Sequence, residues 1–213
     1  MKKTSFSTTR LTIALTAAFL SLPALAHEGH AHQVEKHAAH HVNHHHAHAK
    51  SKAHQAMAPR HAVANMKPTA GSTTEGHIQF DLLKKERIHI HGLITGLAPN
   101  SLHGFHVHEK GDCSAPDASS AGGHFHLPGQ QHGDPSNPHD HHHAGDMGNV
   151  KADAHGVAKV DLMLSQHQMT LGHAPQNIVG RAVVVHKGAD DLHSQPAGDS
   201  GGRAACGVIE LTR

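Results

Sequence analysis

From Lys67 onward the chain is a series of short runs: HIQFDLL, RIHIHGLITGL, HGFHVHE, GVAKVDLML, NIVGRAVVVHK and CGVIELT, each alternating or rich in β-branched residues. Between them stand APNS, LPGQ, DPSNP, KGADD and AGDSGG, where Gly, Pro, Asn and Asp collect. Runs this short, broken by turn-formers and with no helical stretch between them, predict an all-β sandwich or barrel. Residues 67–213 suffice for one such domain. Its core must be aliphatic, because Phe80, Phe105 and Phe125 are the aromatic residues of this stretch and the chain has no Trp or Tyr. Two intervals, 109–149 and 187–205, are too long for hairpins. On a β scaffold such loops usually carry function or lack order.

What precedes the domain divides in two. The opening MKKTSFSTTRLTIALTAAFLSLPALA has a basic start (Lys2, Lys3, Arg10), a mostly apolar stretch over 11–22 and a small-x-small ending at Ala26. That order predicts a bacterial-type secretory signal peptide over 1–26, cut after Ala26, and a periplasmic mature protein. The apolar stretch falls short of the roughly 20 residues that span a bilayer, so no membrane span is expected. Residues 27–66 hold twelve histidines, no aromatic residue and no apolar stripe. Such a segment buries too little to offset the entropy of ordering, which predicts a disordered tail. Its neutral imidazoles would chelate extra divalent ions such as zinc, copper or nickel. Cleavage would also leave His27 at the amino terminus, where amine and ring could hold copper together.

The leader takes three of the 18 basic residues, leaving 15 against 17 acidic ones. This near-balance gives no reason to expect nucleic acid as a partner. Cys113 and Cys206 are the two cysteines. In an oxidising compartment they are expected to pair, with two free thiols as the alternative.

Histidine is abundant everywhere, so position has to distinguish the important ones. In HGFHVHEKGDC (103–113) an extended strand puts His106 and His108 on one face and turns Val107 to the other. Same-face neighbours lie roughly 6.6 to 6.8 Å apart, so both rings can reach one metal about 2 Å from each. RIHIHG repeats the spacing at His89 and His91. Spacing alone is weak, but the context differs. After Cys113 come AGGHFH with His124, QHGD with His132, HHHAGDMGN, VVVHKGADD with His186, and GGRAACGVIE.

This ordered series, over essentially all of 71–213, resembles the copper–zinc superoxide dismutase family. The resemblance implies an eight-stranded Greek-key β-barrel or sandwich, immunoglobulin-like, with a two-metal site beneath two long functional loops. It implies copper bound by His106, His108, His124 and His186, and zinc bound by His124, His132, His143 and Asp146, with His124 shared. The family's His-x-Gly-Asp register selects His143, although His141 and His142 are adjacent competitors and His139 a remote one. Asp190 would link His106 to His132 from outside the ligand set, and His103 would be structural. Arg203, three residues before Cys206, would attract superoxide, with Lys187 a further candidate for steering. The reaction implied converts two superoxide anions and two protons to dioxygen and hydrogen peroxide as copper alternates between oxidation states, His124 serving proton transfer. The competing reading is a copper- or zinc-handling protein on the same scaffold. Completeness of the ligand set, with Asp190, Arg203 and both cysteines, favours the enzyme. The sequence leaves monomer or homodimer open, and gives no role to His77, His89, His91, His126 and His193.

Overall fold

Ala62, Ala64 and Met66 are buried while the residues between them are not, which is the alternation of a half-buried strand. This strand, β1 (His61–Pro68), starts before Lys67. The expected tail therefore ends earlier than residue 66, and its last residues belong to the barrel. Two alanines carry the buried face here, and small side chains leave no apolar stripe to read. The computed structural model describes residues 61–84, 87–137, 141–172 and 175–212. The signal peptide, the histidine-rich stretch up to 60 and His139 lie outside the described residues.

The remaining strands are β2 (Glu75–Leu83), β3 (Arg87–Thr95), β4 (Leu102–His108), β5 (Asp146–Lys151), β6 (Ala158–Ser165), β7 (Ala182–His186), β8 (Arg203–Val208) and the short β9 (Glu210–Leu211). They pair antiparallel in the order β5-β4-β7-β8-β1-β2-β3-β6, with β9 on β1. The bridge Ala152–Ala158 joins the ends of that order, leaving a nearly closed barrel whose neighbours are often not consecutive. Strand β1 turns the corner: its first six residues pair with β2, and Lys67 and Pro68 pair with β8. Ile78, Phe80, Ile88, Ile90, Phe105, Val107, Val183 and Val185 fill the interior. Among the described residues no helix is long and apolar enough to cross a membrane.

Both long loops are shorter than expected. The first ends at 145, because Asp146 opens β5, and the second ends at 202, because Arg203 opens β8. Asp146, Gly148 and Asn149 look like turn residues, yet they form a strand with a bulge opposite Gly104 to His106. Gly148, at φ 76°, supplies the extra residue.

Candidate metal centre

Phe105 and Val107 face the core from β4, so His106 and His108 face away from it. His186 ends the neighbouring β7, where a bulge after Val185 pairs it with Arg203. The loop over 109–145 then returns to β4 as an irregular extra strand. Phe125 N–H donates to Val107 O (2.8 Å) and Val107 N–H donates to Gly145 O (2.9 Å). Phe125 is buried in the core with the Arg181 guanidinium 3.6 Å from its ring centroid, and this anchor fixes the adjacent His124 over His108. His124 stacks obliquely on His106, centroids 3.9 Å apart, while the His108 and His186 rings are 5.5 Å apart.

These residues form two groups that share His124: His106, His108, His124 and His186, and His124, His132, His143 and Asp146. All are buried, and within each group the ligand atoms lie within 4.8 Å of one another.

The hydrogen bonds around the rings test whether cations fit. His108 Nδ1 donates to Gly122 O (2.9 Å) and His186 Nδ1 to Gly201 O (3.1 Å). A carbonyl only accepts, so each Nδ1 carries the proton and each neutral ring turns a bare Nε2 inward. Those two Nε2 atoms face each other at 3.3 Å. His106 Nε2 donates to Asp190 Oδ2 (2.7 Å), which leaves its Nδ1 bare. His106 Nδ1, His124 Nε2, His132 Nδ1 and His143 Nδ1 are all buried without a hydrogen-bond partner. Folded proteins leave few buried polar atoms unsatisfied, and convergent lone pairs repel. A cation in each group resolves both problems. Four imidazoles suit copper, and three imidazoles with a carboxylate suit zinc.

The second group is built around Asp146. Its Oδ1 accepts from His124 Nδ1 (2.9 Å) and lies 3.5 Å from His143 Nδ1, and its Oδ2 lies 3.1 Å from His132 Nδ1. The backbone N–H groups of Gly133 (3.1 Å) and His143 (3.0 Å) donate to Oδ2 and aim the carboxylate. Asp190 spans the groups, since its Oδ1 accepts from His132 Nε2 at 2.9 Å while its Oδ2 holds His106. Asn149 pins Asp190 at both backbone N–H and C=O, each at 2.8 Å. Gly198 packs against this bridge at φ 66°, and a Cβ there would stand 1.9 Å from Asp190 Oδ1 and 2.5 Å from His132 Nε2.

In the metal-free state burial lowers His124 to about 4, against the opposing hydrogen bond to Asp146. Burial and the neighbouring His106 ring lower His186 to about 3, and His108 is also well below its usual range, again through burial. Burial opposes charge on His132 too, but the Asp146 and Asp190 carboxylates outweigh it and raise that ring to about 10. Burial would raise both carboxyls, yet the hydrogen bond from His124 and the adjoining rings of His132 and His143 hold Asp146 far below the carboxylate range, and hydrogen bonds from His106 and His132 lower Asp190. Three rings are thus neutral: His108 and His186 are ready as ligands, whereas His124 must lose its Nδ1 proton to serve both groups and His132 must give up one of its two protons.

Arg203 reaches across to the first loop, its guanidinium donating to Ala118 O and to Gly122 O, the same carbonyl that holds His108. With Lys187, Asp117 and Ser119 it lines a cavity of about 200 Å³. Cys113 and Cys206 form a disulfide across 93 residues. That bond ties the loop to β8 over a small apolar cluster of Ala118, Ala121, Ala182 and Val184.

His103 stands outside both groups, donating from Nδ1 to His186 O (2.8 Å) while Ser101 Oγ lies 2.6 Å from its Nε2. His143 joins the second group, His142 turns its Nδ1 to His143 O (2.8 Å), and His141 is exposed. Sequence reasoning missed Asn149, Gly198, Gln195, which clamps the His132 backbone (N–H to Oε1, 2.9 Å), and Arg181. The carbonyls of Gly122 and Gly201 have no sequence signature at all.

Residues 74–209 match the sequence family described as copper/zinc superoxide dismutase (SODC). An extracellular Cu-Zn superoxide dismutase of Brugia pahangi is 41% identical over 145 residues, covering 64% of this chain and 68% of that one. The crystal structure of the clock protein EA4 superposes with a TM-score of 0.64 at 38% identity, covering 73% of this chain and 96% of its own. A family match over most of the chain, a relative this similar and a barrel carrying the two histidine groups agree: the chain belongs to the copper/zinc superoxide dismutase family.

Proposed function

We infer that the protein dismutates superoxide, with copper held by His106, His108, His124 and His186 and zinc held by His124, His132, His143 and Asp146. One observation carries the residue assignment: His124 offers Nδ1 to the Asp146 side and a bare Nε2 to the other group, so one ring serves two cations. Copper supplies one-electron exchange. The protein does the rest. Arg203 and Lys187 bring positive charge to the cavity edge and draw the anion in. His124 Nε2, bare here, would take up a proton from water and pass it to the product, and the Asp146 carboxylate beside Nδ1 steadies the ring. Asp190 holds the rings of His106 and His132 in their orientation.

Pulse radiolysis of the full chain, loaded with copper and zinc and treated with EDTA to strip loosely held copper, tests this reading. Superoxide decay should approach roughly 10⁹ M⁻¹s⁻¹ and slow with added salt. In Arg203→Ala it should drop about 10- to 100-fold, within the range expected of electrostatic steering. Decay no faster than that of copper in histidine buffer would leave a copper- and zinc-binding protein on a dismutase scaffold.

The leader supports export to the periplasm, and the disulfide fits an oxidising compartment. Amino-terminal sequencing of exported protein should begin at His27. The histidine-rich stretch then gathers metal for the site. Replacing its histidines between 27 and 54 by glutamine should slow filling of both sites under limiting metal, and an unchanged filling rate would remove that role.

A further inference from the structure

We propose that the outer face of β2 and β3 carries a further site for a divalent transition-metal ion, zinc or copper(II), bound by Asp81, His89 and His91. One ligand atom of each lies within 4.8 Å of the others. The sheet register sets this arrangement. Asp81 pairs directly with His89 across β2 and β3, and His91 follows two residues on along the same face, while Ile88 and Ile90 take the core side. Asp81 Oδ2 already contacts His91 Nε2 at 2.9 Å, and the two imidazoles stack with centroids 4.5 Å apart. All three side chains are half-buried, so backbone pairing fixes their origins while the rings can still close on an ion.

The supports resemble those of a built site. His61 Nδ1 lies 2.7 Å from Asp81 Oδ1 and steadies the carboxylate from β1. Asp161 accepts from His89 Nε2 at 2.8 Å and orients that ring from β6. Burial would raise the Asp81 carboxyl, but hydrogen bonds from His61 and His91 hold it below the ordinary range, so it is ionised at neutral pH. A shallow cavity of about 360 Å³ beside His89, His91 and Asp161 leaves room for water to complete the coordination. Two imidazoles and a carboxylate suit zinc and copper(II) and give calcium or magnesium too few oxygens.

The test is a zinc titration of the full-length protein with its copper and zinc sites already filled, followed by backbone amide NMR. Residue-by-residue readout separates this face from the histidine-rich stretch. The amides of Asp81, His89, His91 and Asp161 should shift saturably as zinc is added. In the double variant His89→Gln, His91→Gln those shifts should vanish while other barrel amides keep their positions. Zinc-edge anomalous diffraction from soaked crystals should place a peak among the three side chains. Absence of movement at these amides up to millimolar zinc, or the same movement in the double variant, overturns the site.

Discussion

Two strands that follow each other in the chain but do not pair in the barrel each carry His-x-His, at His89 and His91 on β3 and at His106 and His108 on β4. In both, the residue between the histidines enters the core (Ile90, Val107) and the rings point away from it. The strands therefore treat the two pairs alike. What differs is the cover. Over β4 lie the loops of 109–145 and 187–202, and His106 and His108 are 0% and 1% exposed. On β3 no loop among the described residues seals the pair, and the side chains of His89 and His91 keep 28% and 30% of their surface. Burial strips water from the inner rings and leaves their lone pairs converging, while the outer rings keep ordinary carboxylate partners. A metal centre of this kind is made by loops laid over a strand motif, not by the motif.

Removing the shared ring should have the largest effect. His124→Ala should cost dismutation more than the about 10- to 100-fold typical of losing an outer-shell partner. Rate and bound metal measured together check this, and a variant holding both metals at full rate would refute the shared ring. Next comes the cover. Cys113→Ser opens a loop of 93 residues, worth about 4 to 5 kcal/mol in the chain-entropy model, read as a drop in urea midpoint. A midpoint unchanged in the variant would mean that the loops seal the inner pair without their tether. Gly198→Ala should destabilise by about 1 to 3 kcal/mol and weaken both metals, because its methyl displaces the Asp190 bridge at a positive φ.

Titration of the metal-free protein sharpens the contrast further. Above about 6.5 the lowered His124 and His186 are neutral folded or unfolded and do not affect stability. Below it the unfolded chain takes up protons that the folded chain refuses, and each ring removes up to about 1.4 kcal/mol per pH unit down to its own value. His132 works the other way: its contribution is complete below about 6.5 and fades as pH rises towards about 10. The urea midpoint should therefore peak near pH 6.5, and a midpoint flat from pH 5 to 7 would mean the inner rings are as wet as the outer pair. The smallest effect belongs to the outer pair itself. His91→Gln should leave dismutation unchanged and shift stability by no more than about 0.5 kcal/mol.

The strands of β2, β3, β4 and β6 were legible because their side chains alternate in hydrophobicity. Strand β1 was not, since Ala62 and Ala64 do the packing, nor was β5, whose Asp146, Gly148 and Asn149 belong equally to turns. The residues of both histidine groups were legible through motif order, including His143 among its neighbours, and the structure brings them together. The supports were harder to see. Gln195 acts on the His132 backbone and Asn149 on that of Asp190, so neither sits in a recognisable spacing. Gly198 matters for the side chain it lacks. A motif encodes which atoms can bind, whereas these supports exist only once distant segments meet.

The carbonyl of Gly122 receives two donors, the imidazole N–H of His108 and the guanidinium of Arg203. Being a main-chain atom, it cannot be lost by truncating a side chain; it is withdrawn by movement of its segment, which a side chain at Gly122, held at φ 76° against Glu109, would itself impose. Such a movement would loosen the His108 ring and the Arg203 guanidinium in one event. The site is thereby built to fail as a whole: a protein whose loop has shifted does not become a sluggish enzyme with an intact entrance, or a well-guarded entrance to a damaged centre, but loses both together.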